Sequence, residues 1–390
     1  MSHAPTITYI MFLIFTGTAI LSTLALFTRQ SLLVAYIALG AVLGPWGLRL
    51  VNNSATIHQI GDIGIIFLLF LLGLDLQPQN LFHSLRKMSL ITLASAIIFF
   101  TIGFLTSDYF GYSHTESFII GIAAVFSSTI IGIKLLPTTI LHHQHTGELA
   151  ISILLLQDIL AIGVLLGLEI IANRSASLSQ LGLIISAFPV LIAVAYVFQR
   201  YILYWLIARF DQIHEYIFIL SIGWCLCMTE LSHFFGLSEE IGAFIAGITL
   251  ASNPIASYIA ESLKPLRDFF LVIFFFSIGA SFCLGYFHLV VIPACVLAIF
   301  MLILKPITFN WLLRRSGEVK EVSWEIGVRL GQMSEFSLLV IYMAVETQLM
   351  QPITSYMAEA AIIITFIVSC YWTVIQYPTP LASSANLRRD

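Results

Sequence analysis

The chain has 390 residues, of which 59% are hydrophobic and only 10% are charged, and its formal net charge is −4. Apolar runs of about 20 residues, the length that crosses a bilayer as a helix, recur along the whole sequence. This composition excludes an ordinary soluble domain. It predicts an all-α polytopic membrane protein surrounded by membrane lipid, and we expect neither a cofactor nor a nucleic-acid partner.

Apolar runs and turn signals predict about thirteen transmembrane helices. In chain order the predicted spans are 6–27, 31–48, 58–76, 88–106, 115–137, 148–172, 178–206, 214–235, 238–253, 267–286, 288–313, 322–347 and 353–376. The first run is followed by Arg29 and preceded by no Lys or Arg, which reverses the charge order of a secretory signal peptide. We therefore interpret it as a retained first span.

Positive charges favour one side of the membrane. Thirteen of the 17 Lys and Arg residues fall in alternate loops, whereas only Arg49 and Arg174 fall in the opposite ones. The thirteen are Arg29, Arg86, Lys87, Lys134, Arg200, Arg209, Lys264, Arg267, Arg314, Arg315, Lys320, Arg388 and Arg389. Because cytoplasmic loops carry the excess of Lys and Arg, the N-terminus is predicted outside and the C-terminus in the cytoplasm.

The fifth span is interrupted by three hydroxyl residues, Ser127, Ser128 and Thr129, between two glycines. Such residues permit a helix to open, and unwound backbone in a membrane occurs where it is packed in protein or lines a cavity. The freed carbonyl and hydroxyl oxygens suit a monovalent cation. The alternative is a continuous helix in which the hydroxyl groups bond to the preceding turn.

The sixth span contains a lone acid. Asp158 lies beside Gln157 in the run ISILLLQDILAIGVLLGL, with no charged residue for nine positions on either side. A carboxylate at bilayer depth costs about 2.5 kcal/mol or more on insertion scales, so it requires a use or a partner. Asp158 is therefore the leading candidate for function.

A second interrupted span follows near the C-terminus, where Gln332, Ser334 and Glu335 lie in the run GVRLGQMSEFSLLVI. Two cations fall inside spans and need partners, Lys305 and Arg329. Lys305 either pairs with Asp158 or a freed helix end, or extends its ammonium group to the membrane surface. Arg329 compensates charge near the second interruption, or binds Glu335 in a structural pair.

Two halves of the chain show a weak internal repeat. At an offset of 206 residues, 67–76 matches 273–282, and Phe126 to Thr129 align with Gln332 to Glu335. The predicted directions of the matched spans are opposite, so the repeat is inverted, with halves at 6–172 and 214–376 and a linker helix at 178–206. Such folds place the substrate site at the membrane midplane, where discontinuous helices meet.

Several motifs together resemble those of Kef-type potassium-efflux transporters of the monovalent cation:proton antiporter-2 family. They are GPWGLRLV, GDIGIIFLLFLLGLDLQPQNL, FSSTIIG, LLLQDILAI, GAFIAGITLAS and GQMSEFSLLVI, in that order. The resemblance implies a sodium/proton antiporter fold with two crossing discontinuous helices, a homodimer, and a bacterial inner (plasma) membrane location. It also implies an ion and proton site formed by Gln157, Asp158, Ser127, Ser128, Thr129, Gln332, Ser334 and Glu335, with Lys305 as the membrane lysine.

Two departures limit what this resemblance implies. The chain stops at Asp390 after a single transmembrane domain, so we expect no cytoplasmic regulatory domain within it. Either the chain is truncated or this member is not gated by that route, and a separate regulatory subunit is an alternative partner. Lys264 occupies the position before Pro265 at which these proteins tend to have an acid. Glutathione-type gating therefore does not carry over.

The expected function is secondary active exchange of a monovalent cation for a proton. One titratable acid beside a neutral Gln157 predicts one-for-one, electroneutral exchange, with potassium favoured and sodium as the alternative ion; no metal is expected beyond the transported cation. A passive potassium channel would show flux without proton coupling. An enzyme is not expected, because no nucleophile, base or metal constellation lies at a consistent depth.

Overall fold

The computed structural model describes residues 7–51, 54–75, 78–134, 145–172, 178–210, 212–235, 237–251 and 256–379. The elements of this part are helices. Those of the first half are α1 (Ile7–Phe27), α2 (Leu32–Leu43), α3 (Ser54–Asp75), α4 (Pro78–Tyr109), α5 (His114–Val125), α6 (Thr129–Lys134) and α7 (His145–Ala172). The next are α8 (Leu178–Phe198), a π-helical turn (Gln199–Leu203), α9 (Tyr204–Phe210), α10 (His214–Phe234) and α11 (Glu239–Ala251). The last are α12 (Ala256–Ser281), a 3₁₀ turn (Leu284–Tyr286), α13 (Phe287–Arg315), α14 (Lys320–Arg329), α15 (Glu335–Glu346) and α16 (Pro352–Gln376).

Each of the thirteen predicted spans overlaps a helix or an interrupted helix pair. In the described part, seven helices are long and apolar enough to cross a membrane, and three shorter helices are also apolar. The protein is thus an all-helical, multi-pass membrane protein. Two helices begin well before the predicted spans, α4 at Pro78 and α12 at Ala256. Apolarity marks only the part of a helix that lies in hydrocarbon, so it does not reveal the more polar first turns of these two helices, about three turns in each.

Packing divides the chain into two compact units. The first consists of Met1–Leu50, Phe82–Leu165 and Gly279–Asp390, and the second of Val51–Leu81 and Leu166–Ile278. All the predicted site residues belong to the first unit. The proposed repeat halves and linker stay a prediction, as does the side assignment. Arg174, Arg388 and Arg389 lie outside the described residues, as do the side chains of Arg86, Lys87, Lys134 and Lys264.

The second unit brings α3 and α11 into close contact. A Cβ atom on Gly247 would lie 2.1 Å from the Phe70 carbonyl oxygen, so the two backbones touch where only glycine fits. The ring of Phe67 stacks on that of Phe270 from α12, with centroids 4.3 Å apart. Small residues at such crossings are typical of helix pairs in membranes.

The core of the first unit fixes the helices that carry the site. Buried side chains from α4, α7, α13 and α14 form one cluster, which includes Phe99, Ile153, Phe309 and Ile326. A Cβ atom on Gly327 would lie 2.6 Å from the Pro306 carbonyl oxygen, so α14 packs tightly on α13 one residue from Lys305. This core holds α7, α13 and α14 in fixed relation around the interruptions.

Candidate ion-binding site

The first interruption lies between α5 and α6. Phe126 ends α5 with extended backbone (φ −80°, ψ 147°), and Thr129 begins α6. The Ser128 hydroxyl oxygen accepts a hydrogen bond from the Ile131 N–H at 3.0 Å, and so caps the start of α6. The predicted opening of this span is confirmed. The two serines are buried, so the unwound backbone is packed in protein as hydrocarbon surroundings require.

The second interruption, between α14 and α15, ends in the same way. Ser334 caps α15: its hydroxyl oxygen accepts from the Phe336 N–H at 3.1 Å, and its own N–H donates to the Ser337 hydroxyl at 3.1 Å. Ser334 lies 206 residues after Ser128, the offset of the predicted repeat. A serine thus starts the second half of each broken helix at matching positions.

The two interruptions touch each other. The Ser127 hydroxyl donates to the Leu330 carbonyl oxygen at 2.9 Å, and the Gln332 side-chain amide reaches the Ser128 carbonyl oxygen at 3.5 Å. The Ser337 hydroxyl donates to the Ala123 carbonyl oxygen. Three bonds therefore connect the broken helices, two of them at the unwound backbone and the third between α5 and α15.

Asp158 and Gln157 reach this junction from the unbroken helix α7, and both are 1% exposed. The Gln157 side-chain oxygen accepts from the Ser127 N–H at 2.9 Å, and its amide donates to the Val125 carbonyl oxygen at 3.3 Å. The Thr129 hydroxyl lies 3.2 and 3.3 Å from the two Asp158 carboxylate oxygens. Gln157 thus satisfies freed backbone groups, whereas Asp158 lies against the start of α6, the end of a helix that favours negative charge.

Lys305 is fully buried and extends from α13 into the same junction. Its ammonium group donates to the carbonyl oxygens of Phe126 at 2.6 Å and Gln332 at 3.1 Å, and to the Ser127 hydroxyl at 3.3 Å. An ammonium group has three N–H donors, so these three acceptors match its full capacity. Both carbonyls follow the C-terminal ends of half-helices, which carry partial negative charge. Of the roles predicted for Lys305, these contacts favour neutralisation of freed helix ends.

Glu335 and Arg329 occupy opposite ends of the second interruption. Glu335 is buried in the first turn of α15, and the Ser334 hydroxyl lies 3.4 Å from its carboxylate. Arg329 pairs with Glu325, with N to O distances of 2.8 and 2.9 Å, and donates to the Pro378 carbonyl oxygen at 3.0 Å. Arg329 thus has a structural partner one turn earlier, which sequence reasoning did not identify.

Helix α16 supplies two site residues that the sequence did not reveal. The Ser369 hydroxyl donates to the Gln332 side-chain oxygen at 2.8 Å, and the Thr365 hydroxyl oxygen accepts from the Met333 N–H at 3.1 Å. They orient the second interruption as Gln157 orients the first. The only available signal was their spacing of four residues in an apolar helix, which places both on one side.

The arrangement surrounds one carboxylate with groups that can hold a monovalent cation or a proton. Asp158 provides negative charge and Thr129 a hydroxyl oxygen, whereas the unwound carbonyl groups of Phe126 and Gln332 accept from Lys305. Lys305 and Gln157 are engaged with backbone. They therefore shape the site, while Asp158 is the group whose charge can change with its ligand.

Comparison with known proteins identifies the family of this chain. The family model described as "Sodium/hydrogen exchanger, transmembrane" matches residues 11–375. The glutathione-regulated potassium-efflux system protein KefC of Escherichia coli O45:K1 is 30% identical over 359 residues, which cover 88% of this chain. KefC of Escherichia coli K12 is 29% identical over 356 residues. The chain spans 56% of the length of these relatives.

Solved structures give the same fold. The sodium proton antiporter MjNhaP1 from Methanocaldococcus jannaschii, at pH 8, matches with a TM-score of 0.65 and 16% identity, covering 94% of this chain and 98% of that one. The predicted resemblance to Kef-type transporters and the antiporter fold are confirmed. This chain belongs to the transmembrane sodium/hydrogen exchanger family.

Proposed function

We propose that this protein exchanges potassium ions for protons, one for one, by alternating access at Asp158. The observation that carries the proposal is the buried Asp158 carboxylate, held by the Thr129 hydroxyl where an intact helix meets two broken ones. Freed backbone at the centre of a membrane fold is the usual setting of an ion site in secondary transporters.

Coupling follows from one carboxyl group with two competing ligands. The protonated acid is neutral and tolerates apolar surroundings, but it does not attract a cation. The ionised form attracts one, and the ion pair is again neutral overall. A bare carboxylate is costly to move through the bilayer, so the transporter switches between its outward-open and inward-open states readily only when a proton or a cation is bound. Cation and proton therefore cross in opposite directions.

The neighbour of the acid supports the one-for-one ratio. Gln157 has no acidic proton, and its amide is occupied by the Ser127 N–H and the Val125 carbonyl. A second acid at this position would add a second proton-binding group. The proposed exchange is therefore electroneutral.

The identity of the ion rests on the relatives. The name of KefC states potassium efflux, which supports potassium as the first candidate. Sodium is the second candidate, because the family is described as a sodium/hydrogen exchanger and MjNhaP1 as a sodium proton antiporter. We further propose a homodimer in the bacterial plasma membrane, with the N-terminus outside. The glutathione regulation in the name of KefC is not part of this proposal.

The test is a pH-gradient assay in proteoliposomes. Purified protein is reconstituted with an acid interior, and potassium, sodium, lithium or choline chloride is added outside in turn. Potassium is expected to dissipate the gradient at lower concentrations than sodium, with no effect of choline. Dissipation that none of the three metal ions changes would contradict antiport, and ion flux without proton movement would indicate a channel.

A further inference from the structure

Helix α16 carries a second carboxyl group that the proposed exchange does not use. Glu359 is the one charged residue in the 25 residues from Pro352 to Gln376. It lies seven residues after the start of the helix, or about 10 Å along its axis at 1.5 Å per residue. An ionisable group at that depth in a membrane helix marks a functional site by default.

The carboxyl group of Glu359 faces protein. Val368, Tyr371 and Ile375 form the exposed side of α16, about 120° to 180° away around the helix axis. The Glu359 Oε2 atom is buried and has no hydrogen-bond partner in the part of the chain that the structure describes. A buried carboxylate oxygen without a donor is strongly destabilised, so the group needs a proton or a cation as its ligand.

Within the described part of the chain, the groups found next to Glu359 are polar and uncharged. The Ser355 hydroxyl, one turn earlier, is close to Glu359 but donates to the Pro352 carbonyl oxygen at 2.8 Å, and Tyr356 interacts electrostatically with Glu359. Tyr286 and Cys283, from the segment before α13, lie around the same Tyr356 phenol. Hydroxyl and phenol oxygens can complete the coordination of a monovalent cation, and among the described ion pairs none involves Glu359.

The same helix contacts the ion site. Thr365 and Ser369, which bind Met333 and Gln332, follow Glu359 by six and ten residues. Those separations correspond to about 9 and 15 Å along the axis. Glu359 therefore lies between the membrane face at which α16 begins and the level of the second interruption.

We propose that Glu359 is a second ion-binding carboxyl group, which holds a proton or a monovalent cation on the way between that membrane face and Asp158. The inference rests on the proposed exchange. Glu359 binds ions in transit and is not an additional carried charge, so the one-for-one ratio is unchanged. A carboxylate on the approach raises the local concentration of cations and so the rate at which they reach the central site.

Carbodiimide labelling tests this site without transport. Dicyclohexylcarbodiimide modifies protonated carboxyl groups in apolar surroundings, and mass spectrometry of the α16 peptide identifies the adduct. In the Asp158→Asn protein at constant pH, we expect labelling of Glu359 that falls at least threefold when potassium or sodium replaces choline. Labelling that neither cation reduces, or no labelling at all, would overturn the proposal. If wild-type protein shows no exchange, this measurement still reports on Glu359.

Transport kinetics provide the second test. Glu359→Gln is expected to raise the KM for potassium or sodium at least threefold with the rate at saturation retained, and Glu359→Asp to change it less. Glu346→Gln is the matched control, because Glu346 is an exposed acid at the end of α15, just before α16 begins. The control should match wild type. A KM for Glu359→Gln equal to wild type, in protein with unchanged thermal stability, would contradict the proposed role.

Discussion

Thr129 supplies a direct side-chain contact to Asp158, at 3.2 Å from one carboxylate oxygen. A hydrogen bond to a charged group contributes about 1.5 to 3 kcal/mol, and each 1.4 kcal/mol is a tenfold change in an equilibrium constant. Thr129→Val should therefore raise the KM for the cation roughly tenfold or more in the proteoliposome assay. Thr129→Ser keeps the hydroxyl and should remain near wild type. An equal rise in KM in both variants would mean that Thr129 acts through packing and not through its hydroxyl group.

Lys305 acts on the broken helices through two carbonyl oxygens. Lys305→Met leaves both acceptors buried without this donor, at a cost of about 1 to 3 kcal/mol each. We expect a clear fall in melting temperature in detergent. The fall should be the same in wild-type and Asp158→Asn backgrounds, because the lysine bonds to backbone. Recovery of stability in the double variant would instead indicate a direct Lys305 to Asp158 pair.

Residues differ in how visible they are in the sequence. Asp158 and Lys305 were evident because a charge in an apolar run is costly and therefore rare. The hydrogen-bond partners of Lys305 could not be predicted, because the packing of the helices decides which acceptors a long side chain reaches. Thr365 and Ser369 were missed because hydroxyl residues in membrane helices usually bond to their own backbone. Only the fold brings them to Met333 and Gln332.

Matching caps define the two broken helices. Ser128 and Ser334 each accept a hydrogen bond from a backbone N–H of the following half-helix. Replacing such a cap by alanine costs about 1 kcal/mol, so Ser128→Ala and Ser334→Ala should each lower the melting temperature. Ser262→Ala is the control, since that exposed serine bonds within its own helix α12. No loss in either cap variant relative to the control would contradict the capping role.

The elements followed from hydropathy and small polar residues. Thirteen apolar runs predict the helices. Adjacent hydroxyl residues between glycines predict the first break, and Gly331 followed by polar residues predicts the second, because such residues let a membrane helix open. The ends of helices were less predictable. α4 and α12 extend beyond their apolar runs, since helix formation continues in more polar surroundings where hydropathy gives no signal.

At the scale of the whole molecule, we expect a transport cycle that moves no net charge across the membrane. One carboxyl group and a neutral Gln157 predict that one cation replaces one proton. In solid-supported membrane recordings, a potassium or sodium jump should therefore give no sustained current, although pH dyes report proton movement in the same proteoliposomes. A sustained current with a sign set by the ion gradient would indicate more than one proton per cation.

The family and the antiporter fold could be predicted from motifs distributed over the chain, because several of them had to occur together and in order. The division of the chain into two compact units could not be predicted from the sequence. It depends on packing such as the contact of α3 with α11, which the predicted spans do not encode.

The most direct test of the whole account is cation-dependent proton exchange by Asp158→Asn. The amide keeps the size of the side chain and loses its charge and its proton, so a folded variant should show no potassium- or sodium-dependent dissipation of a pH gradient. Asp158→Glu, which keeps the carboxyl group, should retain measurable exchange. Exchange at the wild-type rate by well-folded Asp158→Asn protein would contradict the central role of this carboxylate.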